Sequence, residues 1–196
     1  IKDLQKGGLP IVTIYEDAEI PNIPNISIDQ VAQSYLATRH LIEQGSKNIG
    51  FVKVDNSRFQ GYCNALFEGN IPLNMKLVYE AIIPDFSNQS GKDAVEYWRS
   101  KNQKVDGFVA QSDPQAVGAL QQFNLHHILV PRDVRIIGVD DSPTCEICRT
   151  PLSSITAEME LVGQKALDTL RQLIDGKVIT DTATIQPRLV VRESSK

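Results

Sequence analysis

Three features are missing from this chain of 196 residues: a long apolar run, a basic cluster and a disulfide framework. Without a stretch of about 18 apolar residues we expect no membrane-spanning helix, and the first residues resemble neither a signal peptide nor a targeting helix. The cytoplasm is therefore the simplest location. The 20 lysines and arginines against 24 aspartates and glutamates give a formal charge of −4. With no basic cluster, this segment is not expected to grip a nucleic-acid backbone by itself.

The chain has few cysteines, and their number is odd. The three residues, Cys63, Cys145 and Cys148, fit reduced thiols better than a disulfide framework. Cys145 and Cys148 form one lone C-x-x-C pair. A structural zinc site would need a second ligand pair, which neither Cys63 nor the adjacent His126 and His127 supplies at a suitable spacing. We therefore expect ordinary packed thiols, and no metal or other cofactor.

Catalytic and nucleotide-binding motifs are missing as well. The sequence contains neither G-x-G-x-x-G nor G-x-x-x-x-G-K-[ST], the usual cradles for nucleotide phosphates. His40 falls inside a predicted helix, and His126 and His127 fall at the end of another, so no Ser-His-Asp or Cys-His pair is indicated. Acidic residues without a partner base do not make a catalytic centre. The sequence favours a binding protein over an enzyme.

The chain does have a regular alternation of strand and helix signals. Short apolar runs predict strands buried on both faces. Between them lie amphipathic segments that predict helices: one capped by Asp29 and ended at Gly45, one with Asp113 as N-cap followed by Pro114, and a last one ended at Gly176. The alternation predicts an α/β protein with a doubly wound parallel sheet. The predicted strands are Pro10 to Tyr15, Ile49 to Val54, Tyr79 to Ile83, Gly107 to Ala110, Arg135 to Val139 and, interrupted by Pro187, Thr184 to Val191.

Charged, polar and aromatic side chains follow these predicted strands. Arg58 comes after the second strand, Phe86 after the third, Ser112 and Asp113 after the fourth, and Asp140 after the fifth. Because the carboxyl ends of parallel strands meet at one edge of a sheet, these side chains should lie close together however the loops bend. Their convergence predicts a ligand site at that edge.

Each of these residues also has a structural interpretation. Asp113 is explained as a helix cap, Arg58 as an exposed surface residue and Phe86 as part of the core. Asp140 and Asp141 could both cap the turn that follows them. Two acids directly after one strand nevertheless favour a binding role for at least one, and we select Asp140, with Asp141 shaping the turn.

Several segments of the chain form a recognisable set: Leu9 to Ile14, Ile28 to Gly45, Arg58-Phe-Gln-Gly-Tyr62, Asp106 to Val109 with Asp113 to Ala119, Val134 to Ser142, and Pro151-Leu152 through Gly163 and Ala166. They cover almost the whole chain, and the set is specific although each segment alone is weak. In this order they resemble the effector-binding core of the LacI/GalR (lactose repressor/galactose repressor) family of bacterial transcription regulators, itself similar to periplasmic sugar-binding proteins.

The resemblance implies a periplasmic-binding-protein-like fold of two subdomains with a cleft between them. Residues 1–44 and 157–176 would form a partial N-terminal subdomain, and residues 45–152 and 183–194 the C-terminal one. The three crossovers would fall near residues 43–48, 151–157 and 176–183. The helix-turn-helix head of the family is expected to be absent from this chain, so operator DNA would be contacted only through that missing N-terminal domain.

The resemblance also implies roles for the residues after the strands. Arg58 would bond effector hydroxyls or a carboxylate, Phe86 would stack on the effector ring, and Asp140 would bridge neighbouring hydroxyls. Ser112 and Asp113 stand where many sugar-responsive members have Asn-Asp, which favours an effector other than the common galactosides. Lys53 could in addition face a phosphate or carboxylate group.

By resemblance, then, the chain is expected to bind a sugar or sugar derivative, to form a homodimer, and to act allosterically as the core of a repressor. Helix positions Gln115 and Leu120, together with Cys145, are the predicted dimer contacts. Two other functions stay open at this point. One is a sugar-binding protein for transport, and the other is an α/β enzyme acting on a sugar.

Overall fold

The computed structural model describes residues 4, 7–15, 20–80, 85–156 and 158–196. The chain alternates strands and helices, as the sequence predicts. In chain order the elements are β1 (Thr13–Ile14), β2 (Asn25–Ile28), α1 (Gln30–Glu43), β3 (Ile49–Lys53), α2 (Asn56–Glu68), β4 (Val78–Glu80), α3 (Asn88–Ser100), β5 (Gly107–Val109), α4 (Asp113–Leu125), β6 (Arg135–Val139), α5 (Thr144–Ile147), β7 (Ser153–Thr156), α6 (Met159–Ile174), β8 (Ala183–Ile185) and β9 (Arg188–Val190).

These elements group into two compact units. The smaller consists of Ile1–Asp29 with Ala157–Pro187, and the larger of Gln30–Thr156 with Arg188–Lys196. The smaller unit contains a parallel three-stranded sheet in the order β1-β2-β8, with α6 in the same unit. Its small core consists of Ile26, Val162 and Ile185. No helix of the described residues is long and apolar enough to cross a bilayer.

The larger unit is built on a six-stranded sheet in the order β4-β3-β5-β6-β7-β9. The first five strands are parallel, and β9 runs antiparallel to β7. Successive residues point to opposite faces: Phe108 packs with the core formed by α3 and α4, whereas its neighbour Val109 packs with the core formed by α1 and α2. Burial on both faces explains the uninterrupted apolar strands. The predicted doubly wound parallel sheet is confirmed.

Glycine at position 61, within the Arg58-Phe-Gln-Gly-Tyr62 motif, has a packing reason. Helices α1 and α2 approach so closely there that a Cβ atom on Gly61 would overlap the backbone carbonyl oxygen of Val31. This contact holds the beginning of α2, and with it Arg58, against the rest of the larger unit.

The unit boundaries differ from the sequence-based division, which placed residues 1–44 together and residues 183–194 together. Helix α1 groups with the larger unit because it buries Ala37 and Leu41 in the same core as Phe51 and Tyr62. Strand β8 groups with the smaller unit because it pairs with β2. The chain therefore passes between units after residues 29, 156 and 187.

Three local predictions are changed by the structure. The last strand candidate is two strands, β8 and β9, and Pro187, which has no N–H to donate, lies between them. The N-cap of α4 is Ser112 and not Asp113. The strand predicted at Tyr79 to Ile83 is observed as Val78–Glu80, and residues 81–83 lie outside the described residues.

Candidate functional site

The candidate site lies at the carboxyl ends of the parallel strands in the larger unit. The chain places β4 on one side of β3 and then β5 and β6 on the other, so the strand order reverses between β3 and β5. Such a reversal opens a crevice outside the carboxyl ends, where α/β proteins bind ligands. The segments that carry Arg58, Phe86, Ser112 and Asp140 follow β3, β4, β5 and β6 in turn.

Asp140 stands directly after β6 in an unusual backbone conformation. Its φ is 106°, a value that favours glycine, and its N–H donates a 2.8 Å hydrogen bond to the carbonyl oxygen of Ile155. The residue is exposed to solvent, yet enough protein surrounds the carboxyl for desolvation to raise its pKa to about 6. The charge of Asp113 raises this pKa further, whereas the charge of Arg58 opposes the rise. Asp140 is therefore electrostatically coupled to both residues.

Arg58 is held in place by Asp55, the N-cap residue of α2. The backbone N–H of Arg58 donates to Asp55 Oδ1 at 2.8 Å, and Nη1 donates to Asp55 Oδ2 at 2.7 Å. This pairing fixes the guanidinium and balances its charge. Within the described part of the chain the buried Nε atom has no hydrogen-bond partner, so this donor is free for another group.

Phe86 and Ser112 are joined by a hydrogen bond. The Ser112 hydroxyl donates to the carbonyl oxygen of Phe86 at 2.6 Å and accepts from the N–H of Gln115 as the cap of α4. Only 4% of Ser112 is exposed, but 42% of Phe86 is. The serine thus positions the segment after β4, and the phenylalanine leaves part of its ring surface open.

Asp113 is almost completely buried, with 1% of its surface exposed. Its Oδ1 accepts from the Ser154 hydroxyl at 2.6 Å and its Oδ2 from the backbone N–H of Ser142 at 2.7 Å. These bonds tie the start of α4 to β7 and to the turn after Asp140. The geometry differs from a direct ligand contact, because both carboxylate oxygens already accept hydrogen bonds inside the protein.

Sequence reasoning did not identify Gln111, which comes just after β5. It is 2% exposed, and among the described residues neither amide atom has a hydrogen-bond partner. Since Phe108 and Ala110 pack on one face of the sheet and Val109 on the other, the alternation places Gln111 on the face of Val109, where α1 and α2 pack. The rule that selected Ser112 would also have found this neighbour.

The acidic turn after β6 has a second unforeseen partner. Arg192 Nη1 donates to Asp141 Oδ1 at 2.7 Å. Asp141 has a φ of 53° and so lies within the turn itself. No local signal links these two residues, because they lie 51 positions apart in the sequence.

Lys53 does not offer a free charge for a phosphate or carboxylate ligand. Its Nζ donates to Glu80 Oε1 at 3.0 Å and lies 5.4 Å from the centre of the Phe59 ring. The pair neutralises the lysine locally. This pairing disfavours a phosphate or carboxylate ligand at Lys53, and such a contact stays a prediction from the sequence.

The cysteines and histidines lie in structural environments. All three cysteines are free thiols, and burial raises the pKa of Cys145 to about 12. His40 contacts Ser195, and His126 contacts Glu96. Within residues 7–15, 20–80, 85–156 and 158–196 no cluster of three or more His, Cys, Asp or Glu side chains is arranged to hold a metal ion.

The predicted dimer contacts need correction. Gln115 and Cys145 are 0% exposed and Leu120 is 4% exposed. Gln115 donates from its amide to the carbonyl oxygen of Asp85 and accepts at its Oε1 from the N–H of Gln111. All three belong to the interior of the larger unit: Gln115 and Leu120 are buried positions of α4, and Cys145, in α5, packs in the same core as Leu120.

Comparison with known proteins agrees with this architecture. A family profile described as a periplasmic binding protein-like domain matches residues 38–195. The chain is 28% identical to the HTH-type transcriptional regulator RegA of Clostridium saccharobutylicum over 88% of this chain and 54% of RegA. It is 31% identical to the ribose operon repressor of Haemophilus influenzae over 88% of this chain and 53% of the repressor. The chain thus spans about half the length of these relatives.

A solved structure supports the same assignment. The transcriptional regulator CelR in complex with cellobiose aligns with a TM-score of 0.87 and 28% sequence identity, over 97% of this chain and 60% of CelR. The profile match covers most of the chain, and the parallel sheet of the larger unit has the topology that the resemblance predicted. The chain belongs to the LacI/GalR (lactose repressor/galactose repressor) family, within its periplasmic binding protein-like domain.

Proposed function

We propose that this chain is the effector-binding core of a sugar-responsive transcriptional regulator and that the effector binds at the carboxyl ends of β3, β5 and β6. One observation carries the proposal. At the edge where the strand order reverses, the segments that follow β3, β4, β5 and β6 carry an exposed aromatic ring, a carboxylate and buried polar atoms that have no hydrogen-bond partner among the described residues. Buried polar atoms in proteins are nearly always hydrogen-bonded, so unpaired ones at a crevice call for a ligand or water.

The chemistry of these groups favours an uncharged, polyhydroxylated ligand. Asp140 accepts hydrogen bonds from hydroxyls, Arg58 Nε donates to them, and the Gln111 amide does both. The apolar ring face of Phe86 suits the C–H face of a sugar. Each hydroxyl of a sugar is both donor and acceptor, which matches this mixed set.

The local charges disfavour an anionic ligand. Arg58 is paired with Asp55 and Lys53 with Glu80, while Asp140 and Asp113 add negative charge. A phosphate group would therefore meet more negative than free positive charge. CelR was solved with cellobiose, and a ribose operon repressor is among the relatives, so neutral sugars are the first candidates for this chain.

The mechanism follows from differential binding. A ligand that bonds Asp140, Arg58 and Gln111 in one conformation better than in another shifts the population toward the first. We propose that this shift is passed to operator DNA by a segment outside these 196 residues, because this chain has a formal charge of −4 and no basic cluster. We also propose that the protein acts as a homodimer. The bound sugar should be released unchanged, since within the described residues His40 is paired with Ser195 and His126 with Glu96, and the Cys145 thiol near this turn is buried with a raised pKa.

The test is ligand screening followed by calorimetry. Cellobiose, ribose and glucose 6-phosphate are screened by thermal shift, because a ligand that binds only the native state raises the unfolding midpoint. A neutral sugar should bind, and Asp140→Ala and Phe86→Ala should each weaken its binding at least about tenfold. Asp133→Ala, which removes an exposed acid elsewhere in the larger unit, is the matched control. Unchanged affinity in Asp140→Ala, or preferential binding of the phosphate, would overturn the site assignment.

A further inference from the structure

We propose that Arg192, near the end of the chain, is a positioning residue that locks the turn carrying Asp140 and thereby sets ligand affinity. The inference rests on the proposed function in one respect, which is that Asp140 contacts the ligand. Arg192 itself would not touch the ligand. It acts through the side chain of Asp141.

The turn after β6 needs external support. Asp140 and Asp141 have φ values of 106° and 53° in succession. Side chains other than glycine are disfavoured in this region, although aspartate tolerates part of it. Two such residues in a row persist only where the surrounding structure over-determines them, and conformations of this kind concentrate at ligand clamps.

The backbone of the turn is held from β7 and α4. The N–H of Asp140 donates to the Ile155 carbonyl oxygen at 2.8 Å, and the N–H of Asp141 donates to the Ser154 hydroxyl at 3.0 Å. The N–H of Ser142 donates to Asp113 at 2.7 Å. These bonds fix the path of the chain but leave the carboxylate of Asp141 to be oriented by another group.

Arg192 orients the Asp141 carboxylate while being held to β7 by hydrogen bonds of its own. Its Nη1 donates both to Asp141 Oδ1 at 2.7 Å and to the carbonyl oxygen of Leu152 at 2.9 Å. Its backbone N–H donates to the Ser153 hydroxyl at 2.7 Å. The Arg192 and Asp141 side chains are 16% and 18% exposed, so solvent screens the pair only partly. The guanidinium group thus connects the start of β7 to the turn. A lysine at this position would keep the positive charge but could not make both hydrogen bonds with the same geometry.

The residues after Arg192 anchor it further. The Ser194 hydroxyl donates to the Ile136 carbonyl oxygen at 2.6 Å and accepts from the N–H of Ser153 at 2.8 Å. Ser194 is 0% exposed. The segment after Arg192 is therefore hydrogen-bonded both to β6, the strand that leads to Asp140, and to its neighbour β7. These bonds hold the backbone next to Arg192 in place, so that Arg192 can keep the Asp141 carboxylate in a fixed position.

The experiment compares the full chain with Arg192→Gln, Arg192→Lys and Asp141→Asn. The control is Arg132→Gln, which removes an exposed arginine paired with Asp133. Three quantities are measured: the pKa of the Asp140 carboxyl by NMR, amide hydrogen exchange at Asp141 and Ser142, and affinity for cellobiose and ribose. Loss of a nearby positive charge alone would raise the pKa of Asp140. Opening of the turn would expose the carboxyl to water and lower its pKa.

We expect the pKa of Asp140 to fall below about 6 in Arg192→Gln. In Asp141→Asn the loss of a neighbouring negative charge lowers this pKa by itself, so amide exchange and affinity are the deciding measurements for that variant. The two amides should exchange faster and the affinity for any bound sugar should drop by at least about tenfold, with partial recovery in Arg192→Lys. The combined Arg192→Gln and Asp141→Asn variant should be no worse than either alone.

An Asp140 pKa that stays at about 6 or rises, with unchanged exchange at Asp141 and Ser142, would overturn the inference and leave Arg192 a purely structural anchor. This outcome is independent of the unfolding midpoint, which either role would lower. If neither sugar binds the unmodified chain, the proposed function fails for those sugars, and the pKa and exchange measurements still decide the positioning role.

Discussion

Replacing Asp113 by asparagine tests whether this buried carboxylate supports the turn that carries the exposed Asp140. The substitution keeps the shape of the side chain and removes its charge. Asp113 is 1% exposed and accepts from the Ser154 hydroxyl at 2.6 Å and from the Ser142 N–H at 2.7 Å. Asparagine can turn its oxygen to only one of these donors. If it keeps the bond to Ser142, its NH₂ faces Ser154, whose hydroxyl must rotate and lose its acceptor.

The cost can be worked from these two bonds. A hydrogen bond to a charged group contributes about 1.5–3 kcal/mol and a neutral one about 0.5–1.5 kcal/mol. Two charge-assisted bonds become neutral, while the removal of a buried charge offsets part of the loss. We expect Asp113→Asn to lower the free energy of unfolding of the larger unit by about 2 kcal/mol. The pKa of Asp140 should fall at the same time, because the Asp113 charge helps to raise it.

Both effects are directly measurable. Trp98 is the single tryptophan of the chain, is 1% exposed and lies in the larger unit, so its fluorescence during urea titration reports the unfolding of that unit. The Asp140 carboxyl is titrated by NMR. Asp133→Asn is the control: Asp133 also accepts from a backbone N–H, that of Leu129 at 2.8 Å, and pairs with Arg132, but it is exposed to solvent. Its replacement should change stability much less and leave the pKa of Asp140 unchanged.

The reasoning would be refuted by equal stability losses in the two variants, or by an Asp140 pKa that does not respond to Asp113→Asn. Equal losses would mean that burial does not strengthen the bonds of Asp113. An unresponsive pKa would mean that the two carboxylates are not close enough to interact through the protein.

Two further sets of predictions start from raised pKa values: the first concerns ligand affinity and stability at Asp140, and the second concerns thiol reactivity at Cys145. The pKa of Asp140 is raised to about 6, so its ionised form, the better acceptor for sugar hydroxyls, is lost as pH falls below that value. Affinity for a bound neutral sugar should therefore weaken by up to about tenfold per pH unit below 6, and Asp140→Asn should remove this dependence. The raised pKa also means that ionised Asp140 disfavours the folded state. Asp140→Asn should accordingly be more stable than the unmodified chain at pH 7, and this advantage should disappear as pH falls to 4. The second prediction concerns Cys145, whose pKa is raised to about 12 by burial and, secondarily, by Asp113. In a variant with Cys63→Ser and Cys148→Ser, a thiol reagent at pH 8 should label Cys145 only after urea unfolding. Rapid labelling of the native protein would contradict the packed-thiol interpretation.

Part of the site could be predicted from residue order alone. In a parallel sheet the carboxyl ends of neighbouring strands share one edge, so Arg58, Phe86, Ser112 and Asp140 could be placed together without knowing any loop. The same reasoning could not separate residues that face a ligand from those that brace them. For Asp113 the sequence left both a cap role and a ligand role open, and only its burial and its bonds to Ser142 and Ser154 show that it braces the turn.

The sequence by itself determined the strand and helix alternation, the parallel sheet and the edge where the site lies. These depend on local quantities: the spacing of apolar residues, the caps of helices, and a connection rule that holds for every strand-helix unit. The formal charge of −4, which disfavours direct DNA binding by this segment, is likewise a property of the sequence alone. None of these conclusions needs a contact between distant residues.

Only the tertiary structure decided what holds the site together. The pairing of Arg192 with Asp141, the burial of Asp113 behind β7 and the grouping of α1 with the larger unit all join residues far apart in the chain. Such contacts leave no periodic or local signal, because each depends on where the whole sheet brings the backbone. The unpaired amide of Gln111 belongs to the same class, since whether a polar group finds a partner is settled only after its neighbours are in place.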